Sequence, residues 1–185
     1  MGPEMIRNVG LVGHGGAGKT AVAEALLFAA GKTNRVGRVE DGNTVMDFEP
    51  EEIDRQISLG LAIASFEHHG HKINLVDTPG YADFVGDARS ALRAIDLAIF
   101  VVSAVDGVEV QTEILWELAG EEGVARAIFV NKLDRERASF TRTLNQLKDI
   151  FGKRVAPVQV PIGEEASLSG IVRVVSSRAY GYQGG

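Results

Sequence analysis

Gly13-His14-Gly15-Gly16-Ala17-Gly18-Lys19-Thr20 is the stretch on which the reading of this chain turns. It matches G-x-x-x-x-G-K-[ST] at every fixed position. Before it stands an apolar run, Val9-Gly10-Leu11-Val12, with the pattern of a buried parallel strand. After it, Ala21–Ala30 has the composition of a helix. Strand, glycine loop and helix in that order form a phosphate cradle. Glycines let backbone N–H groups curl around phosphate oxygens, and the helix N-terminus adds partial positive charge. Lys19 is expected to reach the β- and γ-phosphates, and the Thr20 hydroxyl to ligate Mg²⁺. At His14 the backbone is expected to matter more than the imidazole.

Outward from the loop, apolar runs alternate with helical patterns, as in a mostly parallel sheet flanked by helices. Strands are expected at Ile6–Val12, Leu97–Val102 and Ala127–Val130, with a hairpin of Leu61–Glu67 and Lys72–Val76 around Gly70. Helices are expected at Phe84–Ala94, Val108–Glu122 and Phe140–Phe151. Pro157–Ile162 reads as extended, Ile171–Val175 as a short strand, and the tail from Tyr180 as frayed. Lys32–Ser58 is long, polar and weakly periodic, which marks a functional or mobile loop.

Lys72-Ile73-Asn74-Leu75-Val76-Asp77 is a strand ending in an acid, followed by Thr78-Pro79-Gly80. Asp-Thr-Pro-Gly is also ordinary turn chemistry. After a phosphate loop and a buried strand, Asp77 is expected beside Mg²⁺, and Gly80 is expected to offer a backbone N–H to the γ-phosphate. Asn131-Lys132-Leu133-Asp134 ends a further apolar strand. A carboxylate can accept two N–H bonds from one edge of guanine, a pair that adenine lacks, and Asp134 is placed for that role. Asn131 can bind the guanine edge and neighbouring loops, and the Lys132 stem can cover the base. Alone, this motif would read as a polar helix cap; after the other two it reads as guanine selection.

The net charge of −6 argues against nucleic acid held by phosphate attraction over the whole surface. Without cysteine there is neither a disulfide framework nor thiolate chemistry, which fits a reducing compartment, and a cytoplasmic location is expected. No apolar run approaches a membrane span, and the N-terminus has no signal-peptide pattern, although Met5 is a second candidate start. His68, His69 and His71 read as a solvated turn rather than a metal site. Glu49, Glu51, Glu52 and Asp54 read as a solvated helix turn, and Trp116 as packing.

With these motifs in order, the chain resembles a translational GTPase, specifically the G domain of elongation factor G. Arg38–Phe48 is similar to the start of that family's switch I, and Asp77–Phe84 to its switch II. Ser103–Glu113 and Pro157–Gly163 are similar too, so the resemblance runs from Ile6 to about Tyr182. It implies an α/β fold, a three-layer P-loop NTPase of the Ras-like kind, in which the last strand and helix are not evident. It also implies GTP/GDP with Mg²⁺, a set of binding residues from His14 to Ala21 (His14, Gly15, Gly16, Ala17, Gly18, Lys19, Thr20, Ala21) with Asn131, Lys132 and Asp134, and metal ligation by Thr20, Ser58 and Asp77. Lys19, Gly80 and Tyr81 are the implied catalytic positions. Residues 5–154 would form the GTP-binding domain. Residues 155–185 would begin an inserted subdomain or supply a strand completing the G domain. The implied partner is the ribosome, through a larger protein, with no sequence-specific nucleic-acid contact by this piece.

Where switch I of the family reads Arg-Gly-Ile-Thr, this chain has Arg55-Gln56-Ile57-Ser58, and three of its departures bear on the chemistry. Gly16 stands where an Asp implied in monovalent-cation binding is usual, and Ser58 where Thr is usual. Tyr81 stands where a His orients the attacking water, and a phenol does not supply the same near-neutral acid–base chemistry. These departures resemble a divergent paralogue with slow intrinsic hydrolysis.

Overall fold

The structure, a computed structural model, describes residues 2–81 and 85–182. Its elements are β1 (Ile6–Val12), α1 (Lys19–Ala29), α2 (Pro50–Arg55), β2 (Ala62–His68), β3 (His71–Asp77), α3 (Val85–Leu92), β4 (Leu97–Ser103), α4 (Val110–Glu121), β5 (Ala125–Asn131), α5 (Phe140–Phe151), β6 (Gln159–Ile162), β7 (Gly170–Arg173) and β8 (Arg178–Gly181). A five-stranded sheet has the order β2-β3-β1-β4-β5. β1 runs parallel to both β3 and β4, and β2 is antiparallel to β3. The fold is therefore α/β with a mostly parallel sheet, as expected.

The chain forms two compact units, Met1–Val101 with Val110–Phe129, and Val102–Glu109 with Val130–Gly185. In the first, strand alternation sends neighbouring residues to opposite faces. Leu11, Leu75 and Val101 pack with Ala23 and Leu27 of α1. Their neighbours Val12, Val76 and Phe100 pack with Ala88, Ala91 and Leu92 of α3 and with Leu115 and Ala119 of α4. The apolar runs Val9–Val12 in β1 and Leu97–Val102 in β4, with Leu75 and Val76 of β3, are what two covered faces require. Each Leu or Phe so buried contributes about 1.5–3 kcal/mol. Trp116 packs edge-on to Phe100 with ring centres 4.9 Å apart and lies under the Arg126 guanidinium, so its role is packing.

The β2–β3 hairpin closes through His69 and Gly70, both at positive φ (45° and 76°), the conformation of a type I′ turn. His68 and His69 are exposed on it. α5 has the predicted limits because Ser139 caps its first turn, accepting from Arg142 N, and Gly152 leaves it at φ 95°. α3 begins at Val85; the expected start at Phe84 lies outside the described residues.

In the second unit β6, β7 and β8 form their own antiparallel sheet. The expected frayed tail is corrected here: Tyr180 and Gly181 pair with Ile171 and Gly170 of β7. The ladder satisfies their backbone, and the Arg173 guanidinium lies over the Tyr180 ring. Residues 183–185 of that tail lie outside the described ones. Among the described residues no helix is long and apolar enough to cross a membrane.

Candidate functional site

The loop between β1 and α1 has its shape because three glycines take positive φ: Gly13 (143°), Gly16 (79°) and Gly18 (92°). A Cβ on Gly13 would lie 2.5 Å from the Val101 carbonyl, so the loop hugs the sheet edge. At Gly16 a side chain would have room, but the left-handed backbone disfavours one. Gly18 is the N-cap of α1 and no side chain caps that end, which leaves the helix's first N–H groups for a ligand.

Lys19 is 6% exposed, and its ammonium donates to the Gly13 and His14 carbonyls at 3.0 Å each. Burial lowers its pKa, opposed by the charges of Asp77 and Asp47. Gly80 is buried against this loop: a Cβ there would collide with the Lys19 ammonium and stand 2.6 Å from Gly15 N. Only glycine permits that approach. The Tyr81 ring lies over Gly15, where an added Cβ would meet Cε1 and Cζ at 2.9 Å.

Beneath the loop four oxygen-bearing side chains converge. Thr20 Oγ1 donates to Asp77 Oδ2 at 2.8 Å, and Ser58 Oγ donates to Asp47 Oδ1 at 2.6 Å. Thr20 Oγ1 and Ser58 Oγ then face each other at 3.1 Å. Either hydroxyl can donate across that gap. Asp77 is 1% exposed, and its buried Oδ1 has no hydrogen-bond partner. Burial pushes its carboxyl up to about 7, against the opposing pull of Lys19. Asp47 is raised too, chiefly by burial. Hard oxygens on two adjacent hydroxyls, an orphaned carboxylate oxygen and two buried carboxyls are a donor set suited to a small divalent cation, so the residues fit Mg²⁺.

The raised Asp77 pKa has a consequence for stability. In the unfolded chain Asp77 ionises near its ordinary value of 3.8; in the fold it holds its proton up to about 7. The fold therefore binds the extra proton between those values, and stability falls as pH rises through that window. Asp77→Asn is expected to remove that part of the slope, on the order of 4 kcal/mol by pH 8 in chelator. Thermal melts of both proteins from pH 4 to 8 without metal or nucleotide test it; parallel melting curves would contradict it.

Asn131, Lys132 and Asp134 lie in the second unit. The Asn131 carbonyl accepts from Ala104 N at 2.8 Å, and Lys132 turns the chain at φ 61°. Leu133 O accepts from Glu165 N at 2.7 Å, and Glu165 Oε1 accepts from Arg137 N at 2.6 Å. Arg142 Nη2 donates to the carbonyls of Ala104, Val105 and Arg137. Asp134 is exposed, with Arg135 Nε 3.8 Å from Oδ2. Glu165 and Arg142 belong to no motif, and nothing in their spacing announces them.

Sequence reasoning also left Asp47 without a role and placed Glu52 in a solvated run. Glu52 is corrected: it is 4% exposed, with Oε1 accepting from Leu59 N and Gly60 N, whereas Glu49, Glu51 and Asp54 are exposed. Glu24 is buried as well, in the stripe Thr20, Ala23, Glu24, Leu27 on α1. A carboxylate inside an i, i+3, i+4, i+7 stripe was the available signal.

A glycine loop on an uncapped helix, a buried lysine and a hydroxyl–carboxylate cluster at the carboxyl end of parallel strands define a P-loop nucleotide-binding domain. The family model for the elongation factor Tu GTP-binding domain matches residues 4–183, and the chain belongs to that family of translational GTPases. It is 46% identical over 184 residues to an elongation factor G-like protein of Mycobacterium tuberculosis, covering 100% of this chain and 25% of that protein. It is 40% identical over 182 residues to elongation factor G of Granulibacter bethesdensis, covering 98% and 26%. A crystal structure from Thermus thermophilus superimposes with a TM-score of 0.91 at 40% identity, over 97% of this chain and 27% of that one. The chain thus spans about a quarter of the length of these relatives.

Proposed function

We propose that this chain binds GTP with Mg²⁺ and hydrolyses it to GDP and phosphate as a conformational switch. The setting is an elongation-factor-G-like, ribosome-associated factor in the cytoplasm. The observation that carries the reading is the pair of facing hydroxyls, Thr20 and Ser58, held between buried Asp77 and Asp47 at the base of the phosphate loop. In this reading the backbone N–H groups from His14 to Ala21 hold the phosphates, and Lys19 neutralises charge on the β- and γ-oxygens. Gly80 N–H meets the γ-phosphate. Thr20, Ser58 and Asp77 would hold Mg²⁺, which would supply neutralisation of charge developing on the phosphates. Asn131, Lys132 and Asp134 select guanine. Residues 155–185 are the beginning of an inserted subdomain. Single-turnover hydrolysis by the full-length protein, with and without ribosomes, tests this; no phosphate release in either condition would defeat it.

Tyr81 supports a second reading, a guanine-nucleotide-dependent ribosome-associated module with little hydrolysis. Its ring sits over Gly15, and a phenol is not the acid–base group that an imidazole is. A positioned acid–base group is worth about 10²–10⁴ in rate. Tyr81→His is expected to raise the ribosome-stimulated single-turnover rate at least about tenfold, with GTP affinity within about twofold. An unchanged rate would show that this position does not limit the chemistry.

A further inference from the structure

Two buried carboxylates on the site's flanks are not used by the proposed chemistry. Glu24 is 1% exposed, and its Oε1 accepts the backbone N–H groups of Val45 at 2.6 Å and Met46 at 3.2 Å. Glu52 Oε1 accepts those of Leu59 at 2.9 Å and Gly60 at 3.2 Å, and its Oε2 accepts that of Glu49 at 3.2 Å. The first clamp closes immediately before Asp47, the second immediately after Ser58. Between them lie Asp47 and Ser58, whose side chains meet at 2.6 Å, with Ser58 Oγ also 3.1 Å from Thr20 Oγ1.

The clamps differ in what they anchor to. Glu24 stands on α1, little more than one turn beyond Lys19 and Thr20, so the helix that offers the Thr20 hydroxyl also fixes the position of Val45 and Met46. Glu52 belongs to the clamped segment itself. It reaches back to the N-cap of α2 and forward to the chain leaving Ser58, folding the stretch around the short helix. Apart from α2 the stretch from Val45 to Gly60 is irregular. Ordering such backbone opposes docking at every residue, and charge-assisted bonds from buried carboxylates offset that cost.

We propose that Glu24 and Glu52 are positioning residues that hold the two ends of the Val45–Gly60 segment, so that Asp47 and Ser58 are presented to Thr20 and Asp77 as one cation-binding set. Neither glutamate is hydrogen-bonded to that set through its side chain, although the Glu52 charge acts on Asp47 and Asp77; Glu24 docks the segment and Glu52 shapes it. This rests on the proposed Mg²⁺·GTP reading of the site.

The test compares Glu24→Ala, Glu24→Gln and Glu52→Ala in the full-length protein by two readouts. The first is the Mg²⁺ concentration giving half-maximal GTP-analogue affinity; the second is amide hydrogen exchange. Glu24→Ala is expected to raise the Mg²⁺ requirement at least about tenfold and to speed exchange at Val45 and Met46 by a similar factor. Affinity without Mg²⁺ should stay within about threefold, since the phosphate loop is untouched. Glu24→Gln keeps an acceptor oxygen and should recover both readouts. Glu52→Ala should give the same Mg²⁺ shift with faster exchange at Leu59 and Gly60; it carries the comparison if Glu24→Ala does not fold. An unchanged Mg²⁺ requirement in the alanine variants, beside a wild type that needs Mg²⁺, overturns the proposal. If the wild type shows no Mg²⁺ dependence, the GTP reading fails instead, and unchanged exchange at these amides would then overturn the clamp as well.

Discussion

Replacing Lys19 by alanine is expected to weaken GTP binding by about 10²–10³-fold and to bring single-turnover hydrolysis to the limit of detection. The ammonium is buried, directed by two loop carbonyls and flanked by two carboxylates that share its field. In such a site a cation meeting phosphate oxygens is screened far less than at a surface, so its loss amounts to roughly 2.7–4 kcal/mol. The same substitution leaves Asp77 and Asp47 without their nearest positive charge, so their carboxyls should rise further and Mg²⁺ binding should become more pH-dependent. Lys19→Met, which keeps most of the apolar stem, separates lost charge from lost packing. Equilibrium titration with a fluorescent GTP analogue is the measurement. An affinity within about threefold of wild type in both variants would mean that phosphate is held elsewhere.

Asp134→Asn is expected to invert base preference, lowering GTP affinity by about 10²–10³-fold while xanthosine triphosphate overtakes it. The carboxylate offers acceptors only, and guanine presents two adjacent N–H donors. An asparagine amide puts a donor against one of them, and a site with its polar groups mismatched rejects a ligand strongly. Xanthine carries a carbonyl where guanine has its amine, so the new donor finds an acceptor. Arg135 competes little for Asp134: the pair is exposed and 3.8 Å apart, within the range where surface ion pairs are worth about 0–1 kcal/mol. Competition among GTP, xanthosine triphosphate and ATP reads the outcome. Equal binding of ATP and GTP by the wild type would remove guanine selection from Asn131–Asp134 altogether.

The regular elements were largely legible because they rest on local rules. β4 is apolar from Leu97 to Val102, β1 ends in the run Val9–Val12 and β3 in Leu75-Val76 before its acid, and α5 carries its own cap and its own terminating glycine. The tail reads as frayed because Gly181, Gly184 and Gly185 punctuate it and glycine is depleted in strands; Arg178–Gly181 becomes a strand by pairing with β7. Glu52 was misread for a related reason. In Glu49–Asp54 all four acids look alike in sequence, and only the return of the chain at Leu59 and Gly60 places one of them inside.

The sequence by itself determined the order of strand, glycine loop and helix, the three nucleotide motifs, and the departures at Gly16, Ser58 and Tyr81. Each is a matter of residue type at a fixed spacing, and the chemistry of a glycine, a lysine or a carboxylate travels with the residue. Tertiary structure alone decided which carboxylates work together. Asp47 and Ser58 come from a loop that local pattern cannot orient; Ser58 meets Thr20, and Asp47 meets Ser58, where Glu24 and Glu52 hold that loop by its backbone N–H groups. Backbone donors are identical at every non-proline residue, so sequence carries no mark of which ones a buried carboxylate will take.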